Sequence, residues 1–564
     1  MGASSSTQQN VSSEQKQLEN LAASTGALPT LQSAFSNLTN PQTNAIPIQS
    51  LQKCFSLNCK NLIWEAVPMK ADSFPVLLDH VGPAIVDLFF VPEKGGLSWV
   101  EFVRGYVKCC GRMPSSMLFN TLLRVFVATV SRAGLSSKLE FESDESDCKI
   151  TGSLLPVDVL MIFWMCWTLS WDARSLSISK GNADVCLPDV SDLVLSAVVS
   201  CSEIGSDLNL WDCNILDLED QLPAGKFLSW ALTTVPTLTD CFTQFVTARL
   251  QNCVASKDVS GPSTSSPGEI SSTTAHDTYL LSCGRAWAIS LTFRSSLSEE
   301  IMKIYCPSEN DGPEEKLLYR SSLHGRGLNR LWSNVEGYHG PLLILVSANS
   351  GDGHEGDTSV RKWIIGALTQ QGFENKDDFY GSSGTLYAIS PVFHAFLASG
   401  KEKNFVYSHL HPTGVYERHP KPVGIAFGGT IGNERILIDE DFATVTVRHH
   451  AADKTYLPGS LIPHQGYLAV EAPISEVEVW GLGGKTARKT QTSYKKREEL
   501  FTEQRRKVDL KTFSNWEDSP EKMMMDMVSN PNSIPQDKAS TSTNTNTNEL
   551  NLYMTDIMNQ TLGV

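Results

Sequence analysis

Histidines are the most reactive side chains in the second half of this sequence. His409, His411 and His419 fall within HLHPTGVYERH, and His449 and His450 stand side by side. The first three could ligate zinc, but a site would need a fourth ligand and usually a partner acid, and no cysteine follows Cys306. The adjacent pair lies in a strand-like run and so points to opposite faces. His409, His411 and His419 read as loop or surface residues. His354-Glu355 opens like a metalloprotease helix, yet Thr358 stands where the second imidazole belongs. There is no GxSxG elbow, HExxH helix or GxxxxGKS/T loop to expose a serine nucleophile, pair two imidazoles or cradle a phosphate. Gly428-Gly429-Thr430-Ile431-Gly432 lies between strand-like runs and reads as a hairpin turn rather than an anion cradle. The expectation is a protein without catalytic residues, metal or cofactor.

The 13 cysteines are odd in number, contain no CxxC pair and stop at Cys306. That scatter suits reduced intracellular thiols rather than a secreted disulfide framework. The net charge of -16 opposes non-specific binding to nucleic acid, which depends on neutralising phosphates. Two features could reach a membrane. Met1-Gly2-Ala3-Ser4-Ser5-Ser6 fits the pattern in which Gly2 becomes N-myristoylated. One acyl chain anchors only marginally, so a second signal is required. The basic segment could supply it, with Lys495-Lys496-Arg497 and Arg505-Arg506-Lys507 separated by a short spacer. The same clusters also suit nuclear import, or a solvated helix paired with Glu498, Glu499 and Glu503. Leu154 to Trp171 is apolar but contains Pro156 and Asp158, which makes it a buried helix rather than a span.

A chain of 564 residues exceeds one hydrophobic core, so several segments are expected. Residues 1–27 read as a flexible arm and 28–135 as a helical domain. Residues 150–253 read as a second helical block, including Leu154 to Trp171, Val190 to Cys201 and Phe227 to Leu250. Residues 254–277 have linker composition. From 278 to 484 short strand-like runs alternate with turns: Trp287 to Phe293, Pro341 to Ser347, Thr385 to Ile389, Val423 to Phe427, Arg435 to Asp439, Thr444 to Val447 and Glu476 to Trp480. One helix, Asp357 to Gln371, is expected among them. The pattern predicts an α+β fold with packed antiparallel sheets after a helical first half. Residues 485–511 form a basic helix, and 512–564 a disordered tail.

The run from about Thr278 to Gly484 resembles the TLDc domain, the module of the oxidation-resistance proteins. Leu318-Tyr319-Arg320-Ser321-Ser322-Leu323-His324-Gly325 is similar to the family's opening motif, and Phe379-Tyr380-Gly381 to its aromatic corner. Phe427-Gly428-Gly429 with Leu437, Asp439 and Phe442 resembles its glycine-rich hairpin, and Glu478-Val479-Trp480-Gly481 its closing motif. The family's site residues would then be His324, Gly325, Phe379, Tyr380, Gly381, Gly428, Gly429, Asp439, Glu478, Trp480 and Gly481. An unrecognised enzymatic centre would lie around His324, Glu478 and Trp480. The resemblance implies instead regulation of partner complexes, in particular the vacuolar-type proton ATPase at an endolysosomal or vacuolar surface, and a part in oxidative-stress resistance. A possible Gly2 anchor before a helical first half resembles some family members and not those with a LysM domain.

The first half also resembles EF-hand modules. Phe90 to Glu101 aligns with a twelve-position loop, Gly95 at position 6 and Glu101 at 12, while Phe90, Pro92 and Lys94 occupy positions 1, 3 and 5. A second alignment runs from Asp147 to Asp158, with Gly152 at position 6 and Lys149 at a ligand position. Calcium needs oxygen ligands at those places, so neither loop is expected to bind it.

Overall fold

Helices dominate the first half because apolar residues recur every three or four positions there, and small polar residues or prolines close the runs. The structure is a computed structural model describing residues 12–57, 62–65, 73–143, 145, 147–177, 185–202, 208–255, 279–305, 313–351, 360–410, 421–517, 522 and 525. Gly2, His354, His411, His419 and most of the expected linker lie outside the described residues. Residues up to Thr492 form one compact unit and those from Ser493 onward another.

The first half begins with α1 (Ser13–Ser24), α2 (Leu28–Leu38), α3 (Ile48–Phe55), β1 (Leu62–Trp64), α4 (Phe74–Phe89), α5 (Trp99–Cys110) and α6 (Ser115–Arg132). It continues with β2 (Leu139–Phe141), β3 (Ile150–Leu154), α7 (Pro156–Ser177), β4 (Val185–Leu187), α8 (Ser191–Cys201), β5 (Leu222–Pro223), α9 (Ala224–Thr234) and α10 (Asp240–Ala255). Two helix–loop–helix units, α2–α3 and α4–α5, are joined where Ile46 and Leu97 exchange N–H···O bonds of 2.9 Å in both directions. A similar junction links the loop before α7 to the loop before α9, through the β3–β5 pairing of Leu154 with Leu222. The apolar run at Leu154 does form a helix, α7, whose Trp164 and Trp167 are buried and donate their indole N–H to the carbonyls of Pro188 and Cys186. Phe227 to Leu250 is split: Pro236 lies in the break between α9 and α10, where its missing N–H stops helix propagation. Among the described residues no single helix is long and apolar enough to cross a membrane.

The second half opens with α11 (Cys283–Ser290), α12 (Ser296–Met302), α13 (Pro313–Lys316), β6 (Leu317–Arg320), α14 (Ser321–His324) and α15 (Leu328–Val335). Then come β7 (Leu342–Gly351), β8 (Val360–Thr369), β9 (Lys376–Tyr380), β10 (Gly384–Ser390), β11 (His394–Leu397) and β12 (Val406–His409). The chain ends with β13 (Gly424–Thr430), β14 (Asn433–Ile438), β15 (Thr444–Val447), β16 (Val470–Gly481) and α16 (Gly484–Glu517). The α+β reading holds. The strands form a curled antiparallel sheet in the order β11-β10-β8-β7-β16-β15-β14-β13-β12-β9, with β6 also on β16. β16 does the joining: Val470 to Pro473 pair with β15, and Ile474 to Gly481 run between β7 and β6.

Two expectations fail. Trp287 to Phe293 is mostly helical, within α11, and the described part of Asp357 to Gln371 gives the strand β8 instead of a helix, residues 357–359 lying outside the described ones. The central stretch of each, Trp287–Thr292 and Trp363–Thr369, is covered on both faces, and a continuous buried run does not reveal its period. Along β7, Leu342, Ile344 and Val346 face the interior of the curled sheet, while Leu343 and Leu345 face the helices. Those two join Ile364, Leu368, Tyr387 and Ile389 in one apolar core with the first half. Trp287 sits at that junction, edge-on to Phe163 and Trp167 with ring centroids 6.1 and 5.5 Å away.

Trp287→Ala should therefore lower stability by about 3–5 kcal/mol, the usual cost of removing a buried indole. Urea unfolding measures it, and a loss below about 1 kcal/mol would contradict this packing.

Candidate functional site

The motif residues gather in two places. At the first, β6 and α14 lie against β16. Tyr319 donates its hydroxyl to the Gly325 carbonyl (2.7 Å), and Gly325 ends α14 at φ 86°, a conformation that favours glycine. His324 stacks on Tyr319 at 5.8 Å, and its Nδ1 accepts the N–H of Arg320 at 3.0 Å. Its ring is thus tied to the turn it ends. On β16, Glu476 accepts the Ser321 hydroxyl and, at 2.9 Å, the Ser322 N–H, so α14 is capped from the neighbouring strand. Burial raises the Glu476 carboxyl, but Ser321, Ser322 and Arg320 outweigh it and the net shift is downward.

Glu478 is the centre of this cluster. Its side chain has no exposed surface, yet it carries a carboxylate. Oε1 accepts Leu280 N–H at 2.8 Å; Oε2 accepts Leu281 N–H at 3.2 Å and the Trp480 indole N–H at 3.0 Å. Arg320 stands 3.7 Å away and lies over Tyr279, which in turn meets Trp480 edge-on at 5.4 Å. Burial pushes the Glu478 carboxyl above its ordinary range against those hydrogen bonds. The closing motif therefore clamps the start of the second half, residues 279–281, to its last strand. Gly481 is required beside it, since a Cβ there would come within 2.7 Å of the Tyr338 ring.

At the second place Phe379, Tyr380, Gly381, Gly428 and Gly429 surround the β9–β12–β13 corner. Phe379 meets Tyr407 at 5.6 Å, and Tyr380 accepts the Glu374 N–H at 2.8 Å and bonds Ser408 at 2.6 Å. Burial raises the Tyr380 hydroxyl to about 12. The expected turn glycines differ from the reading: Gly428 and Gly429 lie inside β13, and the turn itself falls at Ile431-Gly432. Beside them, Arg435 and Asp453 form a buried ion pair at 2.9 Å. Asp453 also accepts the N–H groups of Thr455 (2.7 Å) and Tyr456 (3.1 Å). Burial alone would raise its carboxyl; His450, the two N–H groups and Arg435 together lower it to about 2. Asp439 bridges the two places by accepting the N–H groups of Ala443 and Thr444, which shapes the loop that packs Phe442 against Tyr319.

Glu65 and Asp192 were missed by the sequence reading, which had Arg320 only within the opening motif and Glu476 only as the start of a strand. Glu65, from the helical half, accepts the N–H groups of Asp189, Cys283 and Gly284 and so caps α11. Asp192 accepts from Arg285 and Ser390. No local pattern marks these contacts, which join positions some 90 to 220 apart in the chain. A cavity of about 630 Å³ between α7, α10 and α12 includes Arg174, Asp240, Arg294, Glu299 and Lys303, and no motif residue lines it. The basic clusters lie on α16, where Lys496, Arg497, Arg505, Arg506 and Lys507 are exposed and Lys495 is half-buried. Lys507 pairs with Glu503 at 2.8 Å. His409 is buried in β12, unlike the surface residue expected, because β12 sits inside the sheet between β9 and β13.

Residues 293–483 match the family model of the TLDc domain, so the chain carries that domain. A search of curated proteins finds no match to the chain.

Two outcomes are expected. Glu478→Gln places an amide nitrogen among three N–H donors and should cost roughly 1–3 kcal/mol, with faster hydrogen exchange at Leu280 and Leu281. For Asp453, a folded value near 2 against 3.8 means its contribution is complete above pH 3.8 and fades as pH falls toward about 2. Asp453→Asn should therefore be less stable than the parent at pH 5 and approach it near pH 2 in denaturant titrations; a constant gap would refute the assignment.

Proposed function

We propose that this protein is a non-catalytic adaptor that binds a protein partner at an endolysosomal or vacuolar membrane through its TLDc domain. The observation that carries this reading is the use of the motif's chemically capable groups. Glu478 and His324 are occupied by backbone N–H donors, and Trp480 by Glu478, within hydrogen-bonding distance. A general acid or base must reach a substrate proton, and a carboxylate with no exposed surface does not. The clamp holds a surface in shape, which is what a binding module needs.

The vacuolar-type proton ATPase is our choice of partner, on the family resemblance. The layout resembles the lysosome-associated, mTOR-linked TLDc protein, which connects the role to growth signalling and oxidative-stress resistance. We read the paired helix–loop–helix units of the first half as EF-hand-like. The reciprocal Ile46–Leu97 bonds support this, as does the carboxylate at the last loop position, Glu101. Both oxygens of Glu101 accept backbone N–H groups, from Glu93 and Ser98 at 2.7 Å, in place of a cation. With Phe90, Pro92 and Lys94 at ligand positions, calcium is not an expected partner. Membrane contact would come from myristoyl-Gly2 with the basic clusters as second signal. A second reading, nuclear import through those clusters, is favoured by the exposure on α16 of all of their residues but Lys495.

Affinity capture of the intact protein and its Gly2→Ala form, with mass spectrometry of partners and of the N-terminal peptide, tests this. Proton-ATPase subunits together with acylated Gly2 are expected. A Lys495/Lys496/Arg497→Ala triple variant should lose anionic-vesicle binding by at least about tenfold if those charges are the second signal. Capture of nuclear carriers instead, abolished in that variant, would favour import.

A further inference from the structure

We propose that Cys54 and Cys253 are a redox pair, which a hydroperoxide converts to a disulfide stapling α3 to α10. Their Sγ atoms lie 2.7 Å apart, closer than two unbonded sulfur atoms rest and approaching the ~2.05 Å of the covalent bond. The two residues are 199 positions apart in sequence, so the contact is made by the fold and not by local chain geometry.

The surroundings assign a role to each thiol. Cys54 lies in the last turn of α3 at 8% exposure, next to the fully buried Phe55, whose ring meets Phe90 and Phe245. Cys253 lies in the last turn of α10 and is partly open to solvent, which gives an oxidant access. Its carbonyl accepts the side-chain N–H of Asn37 at 3.2 Å, which fixes this end of α10 on α2. One turn earlier stands Arg249, held by Asp172; its carbonyl accepts the Cys54 thiol at 3.6 Å. The Cys54 hydrogen bond and the Arg249 charge, against burial, lower the Cys253 thiol, while that same hydrogen bond and burial raise Cys54. Cys253 is thus the nucleophile and Cys54 the resolving thiol. Among the described residues the other close pairs lack this combination: Cys109 and Cys110 are both buried at 3.7 Å, and Cys166 and Cys241, which also bond each other, are both buried.

The chemistry balances with one hydroperoxide. The Cys253 thiolate attacks a peroxide oxygen, the O–O bond breaks, and the departing alkoxide or hydroxide takes a proton, leaving Cys253 as a sulfenic acid. Cys54 then attacks the Cys253 sulfur. The S–S bond forms, the S–O bond breaks, and the hydroxide leaves as water with the Cys54 proton. Two thiols and one hydroperoxide give one disulfide, one alcohol or water, and one water. A dithiol reverses the bridge. The staple closes a loop spanning most of the helical half, and α10 also packs on α2, α5 and α7, so oxidation fixes the helical half around one helix.

The test uses the full chain, treated with hydrogen peroxide and digested without reduction. The expected product is a Cys54–Cys253 linked peptide pair, two hydrogen atoms lighter than the separate peptides and abolished by dithiothreitol. In Cys54→Ser, dimedone should trap Cys253 as a sulfenic acid about tenfold faster than Cys109 or Cys166; in Cys253→Ser, Cys54 should stay alkylatable after peroxide. Complete peroxide consumption without the linked pair in the unsubstituted protein would overturn the proposal. So would dimedone labelling of Cys253 no faster than that of Cys109. The linked pair is scored without any substitution, so a folding defect in either variant does not shelter the idea.

Discussion

A carboxylate without exposed surface is tolerated only where donors replace its water, and Glu478 shows how much structure follows from that constraint. Its partners come from three places: N–H donors in the 280–281 segment and in the neighbouring Trp480 on its own strand, and the charge of Arg320, 3.7 Å away on β6. These places can meet only if β16 lies between β6 and β7 and the start of the second half returns to the last strand. Each is a long-range requirement. The sheet order around β16 and the position of 279–281 are therefore two aspects of one electrostatic demand, and Gly481 is small because Tyr338 must pass beside the same strand.

The helical half is joined to this sheet by the same kind of contact together with an apolar core. Glu65 places its carboxylate on the N–H groups of Cys283 and Gly284, at the positive end of α11, while Trp287 on that helix fills the space between Phe163 and Trp167. Polar and apolar contacts fix different things. The buried rings supply most of the stabilisation, being non-directional and large. The carboxylate sets the register of α11 on the β1–β4 edge, because an unpaired buried acid is costly in any shifted arrangement.

How much of this was legible in the sequence depends on whether the residue types of a run give away its period, and not on burial alone, since β7 is covered on both faces and Pro341 to Ser347 still read as a strand. β14 and β15 alternate or end at turn residues, and Arg435 to Asp439 and Thr444 to Val447 read as strands. In β8 and α11 the buried stretches, Trp363–Thr369 and Ala286–Ser290, carried no period. α7 escaped this ambiguity by length alone, since an apolar run of that size exceeds an ordinary strand. The clamp was visible only as a motif. That Glu478 and Trp480 matter could be read from Glu478-Val479-Trp480-Gly481; that they hold residues 280 and 281 could not, because the partners are main-chain groups and any residue type supplies an N–H.

That last point bears on what a motif of polar residues means. An acid, an imidazole and an indole in one short list look like catalytic equipment, and the distinction lies in what they face. Glu101 makes the comparison within the same chain: it occupies the place where a calcium-binding loop would offer both oxygens to a cation, and here both oxygens accept N–H groups of the loop itself. Glu478 and Glu65 do the same for other segments. Three glutamates whose chemistry could serve a ligand or a substrate instead close backbone gaps.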